Sequence, residues 1–426
     1  METGRVDAFT ARRLGRRRVF APAVAGLFVG LALVASGCAP RPLEAVPTPD
    51  VSNGAVQSST VSPPRYRRNG VQGNGESTGP IVRIGAALSL TGTAKMFGSA
   101  QRSGIKLAQD EINASHILGS TRLEVIVEDD ASDREQASAA FQKFIENSHV
   151  LAIMGPTLSD TALTVDPLAQ QAGVPVLAIS NAAGGITQIG NFIFRDCLSE
   201  SQLTPQIIKM VRARLKVHKA ALLYTDTDPN RAGSHGFKKA LQDLGIHIGA
   251  ELSFTREQSD FTPQLEEIAA SRPDALFVTA PAQSAAPILI QAHQHGLGNV
   301  PIIGSNAFNS DTVLRTAGDS AEGLIVGSAW SVANPSVRNQ QFIESYRARY
   351  GVDPDQLAAQ AYTGVYILAS AIQEARTTTD PRAVRDALER VNKLDTPLGL
   401  FSFNAQHDAD YPPSVQIVRK GHLQLF

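Results

Sequence analysis

Cysteine is almost absent. Cys38 and Cys197 are the only two in 426 residues, too few for a disulfide-rich scaffold or a cysteine-built zinc site. Nucleotide and catalytic signatures are missing as well: no G-x-G-x-x-G follows a strand, and no G-x-x-x-x-G-K-[ST], G-x-S-x-G or H-E-x-x-H occurs. The nine histidines are scattered. His293 and His295 lie two apart in a helical pattern, so they face different ways and make a poor metal pair. A legible nucleophile–base pair is lacking, and the expectation is a protein that is not an enzyme and takes no cofactor. Excess charge is lacking too, since the formal net charge is −1. That balance argues against a nucleic-acid binder, which needs clustered Lys and Arg. What is present is 43% hydrophobic and 19% charged residues, enough for a buried core and incompatible with disorder throughout.

The charge average hides an uneven chain. Residues 1–37 carry six Arg against Glu2 and Asp7, leaving the remainder at −5. Arg12, Arg13, Arg16, Arg17 and Arg18 precede an uncharged run from Val19 to Gly37. A basic segment followed by an apolar one reads as a secretory signal. The run closes Leu33-Val34-Ala35-Ser36-Gly37-Cys38, which resembles a bacterial lipobox, so Cys38 is expected to become a lipidated N-terminus. A retained membrane anchor is the competing reading, because 19 uncharged residues can just span a bilayer. Pro22, Gly26, Gly30 and the Cys at the end of the run favour cleavage. Arg17-Arg18-Val19-Phe20 also resembles a twin-arginine export signal. Residues 38–80 follow, with 20 of 43 being Pro, Gly, Ser or Thr, a composition expected to form a disordered tether.

From Ile81 onward short apolar runs alternate with segments of helical period. The runs Val82–Leu88, Leu123–Val127, Val150–Met154, Val174–Ile179, Ala220–Tyr224, Ala275–Thr279 and Leu324–Val326 read as buried strands. Ser99–Asn113 and Asp133–Asn147 read as helices. Such alternation predicts an α/β fold with parallel central sheets covered on both faces. The pattern restarts near Lys219, as two doubly wound lobes require. Ligands of such sheets bind beyond the carboxyl ends of the strands. Two loops there carry chemistry. Gly155–Thr161 leads from a strand into a helix, whose N-terminal N–H groups suit an anion and to which Ser159 adds a hydroxyl. Capping of that helix by Ser159 or Thr157 is the alternative. The loop Ser180–Gly185 has small side chains that let a ligand approach the backbone, or that simply make a tight turn. The acidic pair Asp129-Asp130 suits a structural or cleft-edge role.

Several blocks together carry a family resemblance. Ile84-Gly85-Ala86-Ala87-Leu88-Ser89-Leu90-Thr91-Gly92, Gly104–Ala108, Glu111-Ile112-Asn113, Gly155–Ser159, Gly173-Val174-Pro175-Val176, Gly296-Leu297 and Ser320–Leu324 are similar to the leucine/isoleucine/valine-binding family. These are substrate-binding proteins of ABC importers with the type 1 periplasmic-binding fold, and the likeness runs from about residue 81 to the end. It implies two lobes joined by a three-crossover hinge, 81–198 with 329–414 and 199–328 with 415–426, closing on a ligand. It implies that Ser159, with the backbone of Ala182 and Gly184, meets a ligand carboxylate. Phe97 and Tyr362 match aromatics near the ligand, with core packing as the alternative for each. Trp330 falls near a crossover, as cleft wall or hinge packing.

Departures from the family pattern bear on the ligand. Asn306 stands where amino-acid-binding members place an acid against the ligand's ammonium, and Asn230 stands where an aromatic is usual. An amide supplies no countercharge, so an anion or an amide-type solute becomes plausible unless Asp226 or Asp228 takes the ammonium. The two family positions able to form a disulfide are Ser132 and Leu158 here, leaving Cys197 as a lone, buried thiol. The resemblance thus implies an exported, membrane-anchored, monomeric lipoprotein that hands a small solute to an ABC permease. The alternative is a ligand-sensing or regulatory envelope module on the same fold.

Overall fold

The computed structural model describes residues 79–226 and 228–426. The expected signal, Cys38 and all but the last two residues of the expected tether lie outside them. Two separate sheets organise the described chain, as the restart near Lys219 requires. The first has strand order β2-β1-β3-β4-β5, with β1 Ile81–Leu88, β2 Arg122–Asp129, β3 Ala152–Met154, β4 Val176–Ala178 and β5 Ile193–Arg195, all parallel. The second has β6 Lys219–Thr225, β7 His247–Phe254, β8 Ala275–Thr279, β9 Ile302–Gly304 and β10 Ile325–Ser328. A small sheet holds β11 Leu394–Thr396, β12 Gly399–Phe403 and β13 Ala409–Asp410. Finally β14 Ser414–Arg419 and β15 His422–Leu425 complete the second sheet in the order β15-β14-β10-β9-β8-β6-β7. Its strands are parallel from β7 to β10, but β14 and β15 pair antiparallel, so one edge departs from the expected all-parallel sheet.

Helices cover both faces of each sheet. They are α1 Lys95–Ser115, α2 Arg134–Gln142, α3 Ser159–Ala172, α4 Glu200–Leu215, α5 Asp228–Asp243, α6 Thr262–Ser271, α7 Ala282–Ala292, α8 Asp311–Ala317, α9 Val337–Tyr350, α10 Gln356–Ala375 and α11 Pro381–Leu388. The chain passes between the sheets three times: after β5, after β10 and before β14. Between the last two passages, α9 to α11 return to the first sheet, where α10 lies along α1. That contact is close because Gly104 of α1 faces the backbone of α10: a Cβ there would stand 2.2 Å from the Ala358 carbonyl oxygen.

Cores form where the strand runs predicted them. Val82, Ile84 and Leu88 pack against Ile105, Ala108 and Ile112 of α1, and on the opposite face Ala87, Ile153 and Val176 meet Phe141, Phe144 and Val165. In the second sheet Leu223, Leu276 and Val278 bury against Leu265, Ile268 and Leu289. The periodic segment Asp133–Asn147 is α2 followed by a wider turn at Lys143–Asn147, with Asp133 capping the N–H groups of Glu135 and Gln136. Cys197 is buried and free, and burial pushes its thiol far above the ordinary range, which suits a packed hydrophobe.

Asp166 of α3 is fully buried, and neither carboxylate oxygen has a hydrogen-bond partner among the described residues. Burial raises its pKa well above the usual carboxylate value. A raised acid contributes stability that is complete below the unfolded carboxyl range, about pH 4, and is lost as pH climbs toward the folded pKa. Urea unfolding at pH 5 and pH 8 should therefore show Asp166→Asn gaining on the wild type at the higher pH. A constant difference between the two proteins would contradict this.

Candidate functional site

The carboxyl ends of β1, β3 and β4 are tied together by a polar braid whose direction is set by a backbone donor. Ser89, just past β1, donates its N–H to Thr157 Oγ1 at 3.0 Å. Thr157 therefore donates its own proton to Gln101 Oε1, at 2.7 Å. Gln101 Nε2 donates to Ser180 Oγ at 2.8 Å, and Ser180 donates to the Thr157 carbonyl at 2.7 Å. Gln101 and Ser89 are fully buried and Thr157 nearly so. Satisfied in this way, these groups position loops rather than reach a ligand. Asp130 supports the braid by accepting from the Ser89 hydroxyl at 2.6 Å. Its neighbour Asp129 accepts from the backbone of Leu90, Thr91 and Ala131. The acidic pair is structural.

With Thr157 occupied, the start of α3 is left uncapped. The residue before the helix is Leu158, no side chain caps it, and Ser159 is its first residue, half-buried. The capping alternative is thus not realised by either Ser159 or Thr157. The N–H groups of the first turn have no intrahelical acceptor, and the Ser159 hydroxyl stands beside them. This arrangement can hold an anionic oxygen.

The neighbouring loop, after β4, is held from beneath. Arg195, 2% exposed, donates Nη1 to the carbonyls of Asn181 and Ala183 at 2.9 and 2.6 Å. Its Nε and Nη2 bind Asp408 at 2.8 and 2.6 Å. Asn181 adds a bond from Nδ2 to the Pro156 carbonyl at 3.0 Å, locking this loop to the one before α3. Ala182 is half-buried, and Gly184 is exposed, with no atom near where a Cβ would stand. Phe97 sits half-buried in the first turn of α1, next to Gly98, which lies against the Ser89 backbone. Ser159, Ala182, Gly184 and Phe97 are therefore gathered at one end of the first sheet.

The Tyr362 hydroxyl is engaged away from this group. The residue is buried, its hydroxyl bonds Glu111 Oε2 at 2.5 Å, and its ring packs on Phe342 and Tyr366. Glu111 lies ten residues beyond Gln101 on α1, roughly 15 Å at the helical rise. Burial, first of all, holds the Tyr362 phenol neutral by raising its pKa well above the ordinary value. These contacts are those of a packed side chain. Trp330 is 6% exposed, donates Nε1 to Asn339 Oδ1 at 2.5 Å and meets Phe342 edge-on, fastening the chain where it leaves β10.

The second sheet presents its own carboxyl ends. Asp226 follows β6 and is exposed, Asn230 lies in α5, and Asn306 opens a short 3-10 turn, Asn306–Phe308, after β9. Asn306 is half-buried, and its Oδ1 accepts from Gln356 Nε2 at 3.0 Å. Gln356 begins α10, two residues before Ala358, which touches α1 at Gly104. It thereby links the second sheet's strand ends to the helix pair that carries Gln101. No group of three or more His, Cys, Asp or Glu able to hold a metal occurs among the described residues.

Two α/β lobes joined by three crossovers, with polar loops at the carboxyl ends of both sheets, are the architecture of a hinged solute-binding protein. The chain belongs to the periplasmic binding protein family, which it matches over residues 81–421. Among its relatives is the leucine-, isoleucine-, valine-, threonine- and alanine-binding protein of Pseudomonas aeruginosa, 25% identical over 329 residues, covering 77% of this chain and 87% of that protein. A branched-chain amino acid transporter substrate-binding protein from Streptococcus pneumoniae, solved with isoleucine, superposes with a TM-score of 0.73 and 26% identity, covering 81% and 98% of the two chains. A solute-binding protein of an ABC transporter from Rhodopseudomonas palustris, solved with 3,4-dihydroxybenzoic acid, gives 0.71 and 25%, covering 82% and 95%.

Proposed function

We propose that this protein is the extracytoplasmic substrate-binding lipoprotein of an ABC importer. It captures a small polar solute, amino-acid-like or an amide or carboxylate, between lobe 1 (81–198 and 329–414) and lobe 2 (199–328 and 415–426). The observation that carries this reading is the uncapped start of α3, where Ser159 and the first-turn N–H groups stand beside the loop of Ala182 and Gly184. A carboxylate placed there accepts from both loops, and lobe closure shields it from water. No bond is made or broken: differential affinity for the closed state does the work. Cys38 supplies the lipid anchor, residues 38–80 the reach from the membrane, and the permease is the partner of the closed, monomeric form. Relatives that bind isoleucine and an aromatic acid support a carboxylate as the shared feature of the ligand.

Titration calorimetry on Ser159→Ala tests this directly. The variant should lose about 1–3 kcal/mol of affinity for a carboxylate ligand, because a buried acceptor is left with one donor fewer. Unchanged affinity would remove Ser159 from the site.

A further inference from the structure

The orientation of a side-chain amide is decided by its neighbours, and at Gln356 one neighbour is unambiguous. The backbone N–H of Ala329 points at the amide from 2.8 Å and can only donate, so the atom it meets is Oε1. Ser328 Oγ at 2.8 Å and Asn309 Nδ2 at 3.1 Å crowd the same oxygen. Nε2 must then face the other way, and there it donates to Asn306 at 3.0 Å, which fixes the Asn306 atom on that side as Oδ1. The remaining Asn306 group is Nδ2, which donates no hydrogen bond to any described residue. The ordering starts from the main chain and runs outward to the strand end, and Gln356, 7% exposed, has no room to reverse it.

We propose that Gln356 is a positioning residue for ligand selection: it holds Asn306 with its N–H₂ group toward the cleft. The second lobe then offers a hydrogen-bond donor beyond the end of β9, which an ammonium, itself donor-only, cannot use. The preferred ligand is a carboxylate whose second polar group is an acceptor oxygen, a 2-oxo or 2-hydroxy acid, rather than the α-amino acid of the same skeleton. This rests on the reading of the cleft as a carboxylate site and narrows it.

Calorimetry with matched pairs tests it: pyruvate with alanine, 4-methyl-2-oxopentanoate with leucine, phenylpyruvate with phenylalanine, and 2-oxoglutarate with glutamate. For the skeleton that binds, the oxo acid should bind more tightly by on the order of tenfold or more. Gln356→Glu should cut that ratio by roughly tenfold or invert it. Its carboxylate still accepts from Ala329 and Ser328, but its second oxygen now draws Asn306 Nδ2, turning Oδ1 toward the ligand. Asn306→Asp, at a half-buried site, should shift the ratio the same way and decides the matter if Gln356→Glu does not fold. A wild type that prefers the amino acid, or a ratio unmoved in the folded variants, overturns the proposal and leaves the carboxylate site standing. Failure of all eight compounds to bind overturns this inference and leaves the carboxylate site to the Ser159→Ala measurement.

Discussion

Arg195→Met should cost about 3–5 kcal/mol of folding stability, the range for breaking one partner of a buried ion pair. Methionine retains much of the volume and all of the hydrophobicity of the stem, so the loss isolates the guanidinium. Three hydrogen bonds depend on it, one to Asp408 and one each to the carbonyls of Asn181 and Ala183, besides the ion-pair contact of Nη2 with Asp408. Asp408 is itself only 14% exposed, and without Arg195 its charge has no compensation. The cost therefore exceeds that of any surface pair, such as Arg347 with Asp353, where about 1 kcal/mol or less is at stake. Function should suffer along with stability. The two carbonyls hold the loop of Ala182 and Gly184 in place, so ligand affinity should fall even at temperatures where the variant is folded. Urea unfolding gives the first quantity and calorimetry the second; a stability loss under about 1 kcal/mol would show that the pair is not a cornerstone.

The second large effect is expected at Gly104→Ala. One methyl group is all that is added, yet its nearest neighbours are the Ala358 carbonyl oxygen at 2.2 Å and the Tyr362 nitrogen at 3.1 Å, both main chain. Neither can rotate away, so α10 has to move as a body. Overpacking of this kind costs about 3 kcal/mol. Because Gln356 begins the same helix, the displacement also loosens its bonds to Ala329 and Asn306. The variant should accordingly melt lower and discriminate less between ligands. Methyl insertion at Gly119, where nothing lies within 4 Å of the added atom, isolates the backbone effect of its positive φ from crowding. A Gly104→Ala protein as stable as the wild type would mean that α1 and α10 are not in the close register described.

Much of the fold was legible because it depends on local pattern. Each apolar run read as a strand contributes residues to one, and Ala275–Thr279 coincides with β8. The strands that escaped notice did so for identifiable reasons. β5 and β9 are three residues long and lack the longer apolar runs that mark the equally short β3 and β4, and β7 is an edge strand whose exposed and half-buried positions alternate, so no apolar run marks it. The antiparallel β14–β15 hairpin closes a sheet whose other strands are parallel, and nothing in a periodicity signals such a reversal.

The candidate site was legible in its first half only. Ser159 stands at a strand-to-helix turn, a feature visible in sequence, and the structure adds the reason it is left unoccupied as a cap. The groups that hold the site in place were invisible, because their partners are distant in the chain: Gln101 with Thr157 and Ser180, Arg195 with Asp408, Gln356 with Asn306. A glutamine has no pattern until its neighbours are known. Tyr362 and Trp330 illustrate the converse. An aromatic near a family position suggests a cleft wall, and only the structure adds the bonds from the Tyr362 hydroxyl to Glu111 and from the Trp330 indole N–H to Asn339.

The central claim, that a carboxylate solute is held between the lobes at the start of α3, is tested most directly by a crystal structure of the protein with its best ligand. A thermal-shift screen of amino acids, oxo acids, amides and short carboxylates supplies that ligand, since saturation at 100 times the dissociation constant adds about 2.7 kcal/mol of stability. The account predicts density between the two sheets, with the carboxylate oxygens within hydrogen-bonding distance of Ser159 and of the Ala182–Gly184 backbone. A ligand bound elsewhere, or one whose carboxylate faces Asn306 with Ser159 left bare, would contradict it.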